Sequence, residues 1–220
     1  MNISRSLGLL SFLFGIVGCG SAPYTKTTGG APIVAKAGET HTYNFDSYAV
    51  GKIPGDFEAI LGDWVVAASD KGNLARQSGM FGDGDFPRVV VRQLTFLNPH
   101  VKVRCKPESG GADRACGLMF RFQDSDNYYI TRANALENNV RLYFVKGGVR
   151  TMFANADLAV TSGAWHTLEA FAQGGDFKIA WDGQQIIAAH DETFKAAGKV
   201  GLWTKADSVT AFDDLEATEQ

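Results

Sequence analysis

The chain has 220 residues, 45% hydrophobic and 20% charged, enough apolar content for a sizeable core and unlike a disordered composition. A formal charge of -3 excludes the basic footprint expected of a nucleic-acid binder. With 25 glycines, 6 prolines and 15 phenylalanines, the mix suits many short strands joined by tight turns.

Residues 1–18 read as a secretory leader. Arg5 supplies an early positive charge, and the apolar run from Leu7 to Val17 is too short for a membrane span. The run ends in Ile16-Val17-Gly18-Cys19, which resembles the bacterial lipobox. That resemblance implies lipidation of Cys19 and anchoring to a membrane; the alternative is an ordinary cleaved leader with an incidental cysteine. Gly20 after the cysteine resembles lipoproteins sent to an outer membrane, so the expected location is the bacterial cell envelope, with the domain periplasmic or surface-exposed. Residues 19–39, rich in Gly, Ala and Thr, read as a flexible tether. One domain is expected from Thr40 to Gln220.

The domain is a series of strand signals. Alternation or β-rich runs occur at residues 41–46, 63–69, 73–78, 88–93, 100–105, 117–123, 128–133, 139–146, 149–153, 165–173, 177–181, 184–190, 199–205 and 209–217. Turn chemistry separates them, including Lys146-Gly147-Gly148, Gly174-Gly175 and Asp182-Gly183. Residues 134–138 hold one helical turn at most. The expected class is all-β: a two-sheet antiparallel β-sandwich of jelly-roll type. Cys105 and Cys116 form an even pair in an oxidising compartment. A disulfide between them closes a hairpin loop and contributes roughly 2–3 kcal/mol; the alternative is two buried thiols. No His or third Cys stands at metal-ligand spacing.

The runs GLMFRFQDSDNYYITRAN, NNVRLYFVKGGVR, WHTLEAFAQGGDFKIAWDGQ and GKVGLWTKADSVTAFDDL resemble the concanavalin A-like lectin/glucanase fold, and more narrowly laminin-G-like and 3-keto-disaccharide hydrolase-like domains. The resemblance covers nearly all of the mature chain. It implies a concave sheet that meets carbohydrate.

Strand alternation sends Leu118, Phe120, Phe122, Leu142 and Phe144 to the core. It gathers Arg121, Tyr128, Arg132, Arg141 and Tyr143 on the opposite face, at the expense of an awkwardly placed Ile130. Tyrosine offers a flat plate with a hydroxyl at its edge, and arginine offers fixed donors for hydroxyls or a carboxylate. Three arginines favour an acidic glycan. Trp203 is a further stacking candidate; Trp64, Trp165 and Trp181 belong to the core or its rim. A solvated face with cross-strand ion pairs is the competing reading.

No catalytic residue is selected. There is no G-x-S-x-G, no H-E-x-x-H, and none of the alternating E-x-D-x-E that glucanases of this fold use. No cofactor is required; Asp46, Asp213 and Asp214 read first as caps of strand ends, and the fold resemblance implies a structural calcium near them as the alternative. The expected function is glycan binding without catalysis. The alternatives are a glycoside hydrolase or 3-keto-glycoside-cleaving enzyme, and a structural or protein-binding envelope lipoprotein.

Overall fold

The computed structural model describes residues 31–220, so Cys19, the leader and residues 19–30 of the tether lie outside the described residues. Among the described residues there is no α-helix. Of the eighteen strands among the described residues, sixteen build two main sheets. One runs in the order β13 (Val149–Asp157), β12 (Asn139–Lys146), β11 (Asn127–Asn134), β10 (Ala115–Asp124), β17 (Lys199–Trp203), β7 (Arg88–Val91) and β4 (Phe57–Leu61). The other runs β16 (Gln184–His190), β15 (Asp176–Trp181), β14 (His166–Gln173), β9 (Pro99–Ser109), β18 (Val209–Glu219), β6 (Gly72–Gln77), β5 (Trp64–Ser69) and β3 (Gly51–Lys52), with β2 (Thr40–Tyr43) also pairing β18. Every pairing in both sheets is antiparallel. The all-β sandwich expected from the strand signals is therefore the observed architecture.

A short parallel pair, β1 (Ile33–Val34) with β8 (Leu94–Thr95), stands apart from both sheets. Ala35, next to it, is buried in the core, so the fold takes in residues whose composition reads as tether.

Alternation explains why these runs become strands and where the core lies. Leu118 pairs across the ladder with Thr131 and Leu202, and Phe120 with Tyr129, each pair turned inward. The Tyr129 ring lies 4.8 Å from Phe177 of the facing sheet, which joins the two layers through one aromatic cluster. Large side chains buried to this extent each contribute roughly 1.5–3 kcal/mol relative to exposure. The tight turn Gly147-Gly148, with φ of 57° and 76°, is one that residues without a Cβ adopt freely, and it sets Val145 opposite Arg150.

Cys105 and Cys116 are bonded to each other. Cys105 lies on β9, paired to β14 and β18, whereas Cys116 lies on β10, paired to β11. The bridge therefore ties one sheet to the other rather than closing a hairpin ladder within one sheet. Residues 134–138 form a single turn, with the Asn138 amide donating to the Asn134 carbonyl at 2.9 Å.

Candidate functional site

The outward face of the seven-stranded sheet carries a second apolar cluster, distinct from the inter-sheet core: Val90, Met119, Tyr128, Ile130, Tyr143 and Trp203 are among its buried members. Ile130 stands opposite Met119 on one side and Tyr143 on the other. Its apolar character on this face is thus satisfied by packing, which removes the objection that it raises to the register of β11. Gly117 stands opposite Trp203, where a Cβ would come within 3.0 Å of the indole. The missing side chain lets the tryptophan lie down on the sheet.

Five of the six expected site residues, Tyr128, Arg132, Arg141, Tyr143 and Trp203, share this face, as the ladder pairs Tyr128 with Val145, Arg132 with Arg141, Ile130 with Tyr143 and Trp203 with Gly117. They are not equally available. Tyr128 is sealed, its hydroxyl accepting from Arg88 Nη1 at 2.9 Å. Trp203 is covered as well, with Phe86 stacked on it at 5.4 Å, so it is a platform beneath the surface rather than an open stacking plate.

Arg121 is not on this face. A bulge interrupts the pairing of β10 after Phe120, and Arg121 takes a left-handed φ of 47°. The extra residue reverses the alternation downstream. Arg121 therefore turns inward, its guanidinium 5.7 Å from the Phe177 ring, and Phe122, expected in the core, joins the outward cluster beside Tyr128 at 5.6 Å.

Over the aromatic layer lies a connected set of polar groups. Arg132 donates from Nη1 to Asn139, from Nη2 to Glu137 at 2.8 Å, and from Nη2 to the Tyr143 hydroxyl at 3.2 Å. Glu137 is aimed there by the turn at 134–138, whose amides at Leu136 and Glu137 donate to Asn134 Oδ1. Its carboxylate also meets Arg141 at 2.9 Å. Burial works to raise the Glu137 carboxyl, but Arg132, Asn139 and Arg141 together hold it below its ordinary value. Arg141 extends the set through Asn155 Oδ1 at 3.0 Å.

On the other side of the layer, Lys205 bridges Asp83 at 2.6 Å and the buried Asp113 at 3.2 Å. Its hydrogen bond holds the Asp83 carboxyl low, whereas burial pushes Asp113 up. Asp113 Oδ1 accepts from Asn134 at 3.0 Å, which links the two halves. Between them Arg150 lies 4.6 Å from the Phe86 ring, 4.7 Å from Tyr143 and 5.8 Å from Trp203. Arg150 Nη1 and Trp203 Nε1 are buried donors with no hydrogen-bond partner among the described residues. Such donors are rare in a finished interior, and these two belong to neighbouring side chains, the Arg150 guanidinium lying 5.8 Å from the Trp203 ring.

Arg150, Phe86, Asp83, Asp113, Glu137, Asn139 and Lys205 are absent from the residues that sequence selects. Arg150 had a readable signal: the two-residue turn at Gly147-Gly148 sets it opposite Val145, hence on the face of Tyr143. Asp83 and Phe86 arrive from a loop, and their position depends on tertiary contacts alone.

For the calcium expectation, Asp46 accepts the Asn73 amide at 2.8 Å and Asp214 meets Arg104 at 3.0 Å. Among the described residues no group of three or more His, Cys, Asp or Glu side chains is placed to hold a metal ion. The calcium expectation is not carried further.

No protein-family model matches this chain. A levanase of Bacillus subtilis (strain 168) is 29% identical over 96 residues, 43% of this chain and 14% of that protein's length. Carbohydrate-binding module CBM66 from Bacillus subtilis superposes with a TM-score of 0.62 at 21% identity, over 73% of this chain and 94% of that one. A protein of unknown function with a galectin-like fold, also from Bacillus subtilis, gives a TM-score of 0.65 at 14% identity, over 84% and 97%. A Bacillus licheniformis β-glucanase gives a TM-score of 0.61 at 14% identity, over 84% and 100%. The fold is the jelly roll of the concanavalin A- and galectin-like proteins.

Proposed function

We propose that this chain is a carbohydrate-binding domain without catalytic activity, and that glycan is held on the outward face of the seven-stranded sheet, above Tyr143 and Trp203. The observation that carries the reading is the pair of buried, unpartnered donors, Arg150 Nη1 and Trp203 Nε1, framed by the polar set of Arg132, Glu137, Arg141 and Lys205. Sugar hydroxyls both donate and accept, so a site that interleaves guanidinium, ammonium, carboxylate and amide groups over aromatic rings matches them. The stretch of levanase likeness and the CBM66 superposition support the same class.

The glycan proposed is neutral. Glu137 sits between Arg132 and Arg141, and Asp83 and Asp113 flank Lys205, so the basic groups are largely compensated within the protein. This compensation replaces the acidic ligand that three free arginines favour. The same pairing supports a non-catalytic role. A glycosidase needs one carboxyl held protonated beside a free carboxylate. Here Glu137 and Asp83 are held ionised by cations, and Asp113, though raised, is sealed with both oxygens engaged. In this reading a lipid on Cys19 holds the domain at a bacterial envelope, with the residues after it as tether.

A glycan array probed with the full chain, followed by a reducing-sugar assay on each polymer bound, tests the proposal. Retention of neutral oligosaccharides with no release of reducing ends is expected. Release of sugar moves the chain to the hydrolases, and failure to retain any neutral glycan overturns the reading.

A further inference from the structure

Arg121, displaced from the sugar face by the β10 bulge, has an unusual environment. Its side chain is 2% exposed, yet it forms no ion pair among the described residues. Nε donates to the Leu97 carbonyl at 2.8 Å and Nη1 to the Phe194 carbonyl at 3.0 Å. No hydrogen bond among the described residues uses Nη2. The nearby carboxylate of Glu219 is already committed, accepting from the Leu97 and Asn98 amides at 2.8 and 2.9 Å.

An unpaired buried charge is costly, and proteins ordinarily avoid it or pair it. Arg121 also occupies the left-handed region, which costs a residue with a Cβ roughly 1–2 kcal/mol. Both costs coincide at one residue, and that residue lines a cavity of about 330 Å³ at the end of the sandwich. Leu97 and Phe194 give the cavity apolar walls, Gln173 and Gly174 a polar side, and Glu192 with Lys195 its rim. Glu192 and Lys195 are paired to each other at 3.0 Å, and both are well exposed.

We propose that this cavity is a second binding site, separate from the sugar face, which takes a small organic carboxylate by pairing it with the Arg121 guanidinium. A guanidinium pairs strongly with a carboxylate through charge-assisted hydrogen bonds, and Nη2, which no hydrogen bond among the described residues uses, is the donor left for it. The apolar walls suit the hydrocarbon part of the ligand. Glu192 at the rim works against an anion, so neutralising it favours binding.

Calorimetric titration of the full chain with benzoate tests this, with benzyl alcohol as the uncharged comparator. Benzoate is expected to bind and benzyl alcohol to bind at least about tenfold more weakly, the equivalent of one charge-assisted pair. Arg121→Lys keeps the charge but loses the guanidinium, and is expected to weaken benzoate by about tenfold. Because Arg121 also ties down two carbonyls, Glu192→Gln provides an independent check on an exposed residue: benzoate should bind about two- to fivefold more tightly. No benzoate binding, equal affinity for the alcohol, or indifference to Glu192→Gln overturns the proposal. Glycan retention on the outward face is scored in the same protein, so the two sites succeed or fail separately.

Discussion

The two sheets turn very different faces to the outside. On the nine-stranded sheet, β9 alternates between buried and half-buried residues from Pro99 to Glu108; its outward His100, Lys102, Arg104 and Glu108 find partners on other strands, and Lys106 pairs with Glu108 along β9 itself. Lys102 meets Glu216 at 3.6 Å and Arg104 meets Asp214 at 3.0 Å. This is how a solvated antiparallel face satisfies itself, and pairs of this kind are worth about 0–1 kcal/mol each. On the seven-stranded sheet, β10 and β11 are buried on both sides for most of their length. A face that turns aromatic rings outward and roofs them with Phe86 and Arg150 is organised for something other than solvation.

The contrast is broken most severely by paired truncations. Trp203→Ala removes a fully buried indole that supports Phe86 and Arg150, and should cost about 3–5 kcal/mol in urea unfolding. Lys102→Ala on the other face should stay within about 1 kcal/mol of the parent. Similar losses from the two would mean that the outward faces do not differ as described.

The disulfide sharpens the comparison because it is where the sheets are joined. Replacing both Cys105 and Cys116 by Ala should lower stability by about 2–3 kcal/mol, measured by the same unfolding curve. Reducing agent should then have no further effect.

A smaller effect is expected with pH on the nine-stranded sheet. Burial pushes the Asp213 carboxyl up to about 6 from its usual 3.8, with the charges of Asp214 and Asp46 adding to the rise and the Asp214 amide and Arg104 opposing it. Between those two values the folded chain keeps a proton that the unfolded chain has released. This group therefore takes stability away as pH rises through that window. In thermal melts from pH 4 to 7, Asp213→Asn should gain on the parent as pH rises. A constant offset across the series would show that Asp213 does not titrate this way.

The fold was legible because its signal is local. Alternation in residues 139–146 sorts Leu142 and Phe144 from Arg141 and Tyr143, and the ladder repeats that sorting. Prediction failed where alternation was broken by a bulge: nothing in the residue types at 120–122 announces that Arg121 takes a left-handed φ, and one extra residue reverses the faces of Arg121 and Phe122. It fell short again where a loop crosses a sheet. Phe86 and Asp83 come from the loop between β6 and β7, and only contact with Trp203 and Lys205 gives them a role. The disulfide pair was legible from parity, but its span between sheets was not, because sequence separation cannot say when a chain changes layers.

Arg150 offers the most direct test of the sugar face. It is half-buried, lies across Phe86, Tyr143 and Trp203, and leaves Nη1 unpartnered, so its removal should take away ligand contacts while leaving the sheet intact. Isothermal titration of the parent and Arg150→Ala with the best neutral oligosaccharide from the array measures this. The account predicts a loss of affinity of about tenfold or more, equivalent to at least 1.4 kcal/mol, with unfolding little changed. Equal affinity in the two proteins would contradict it.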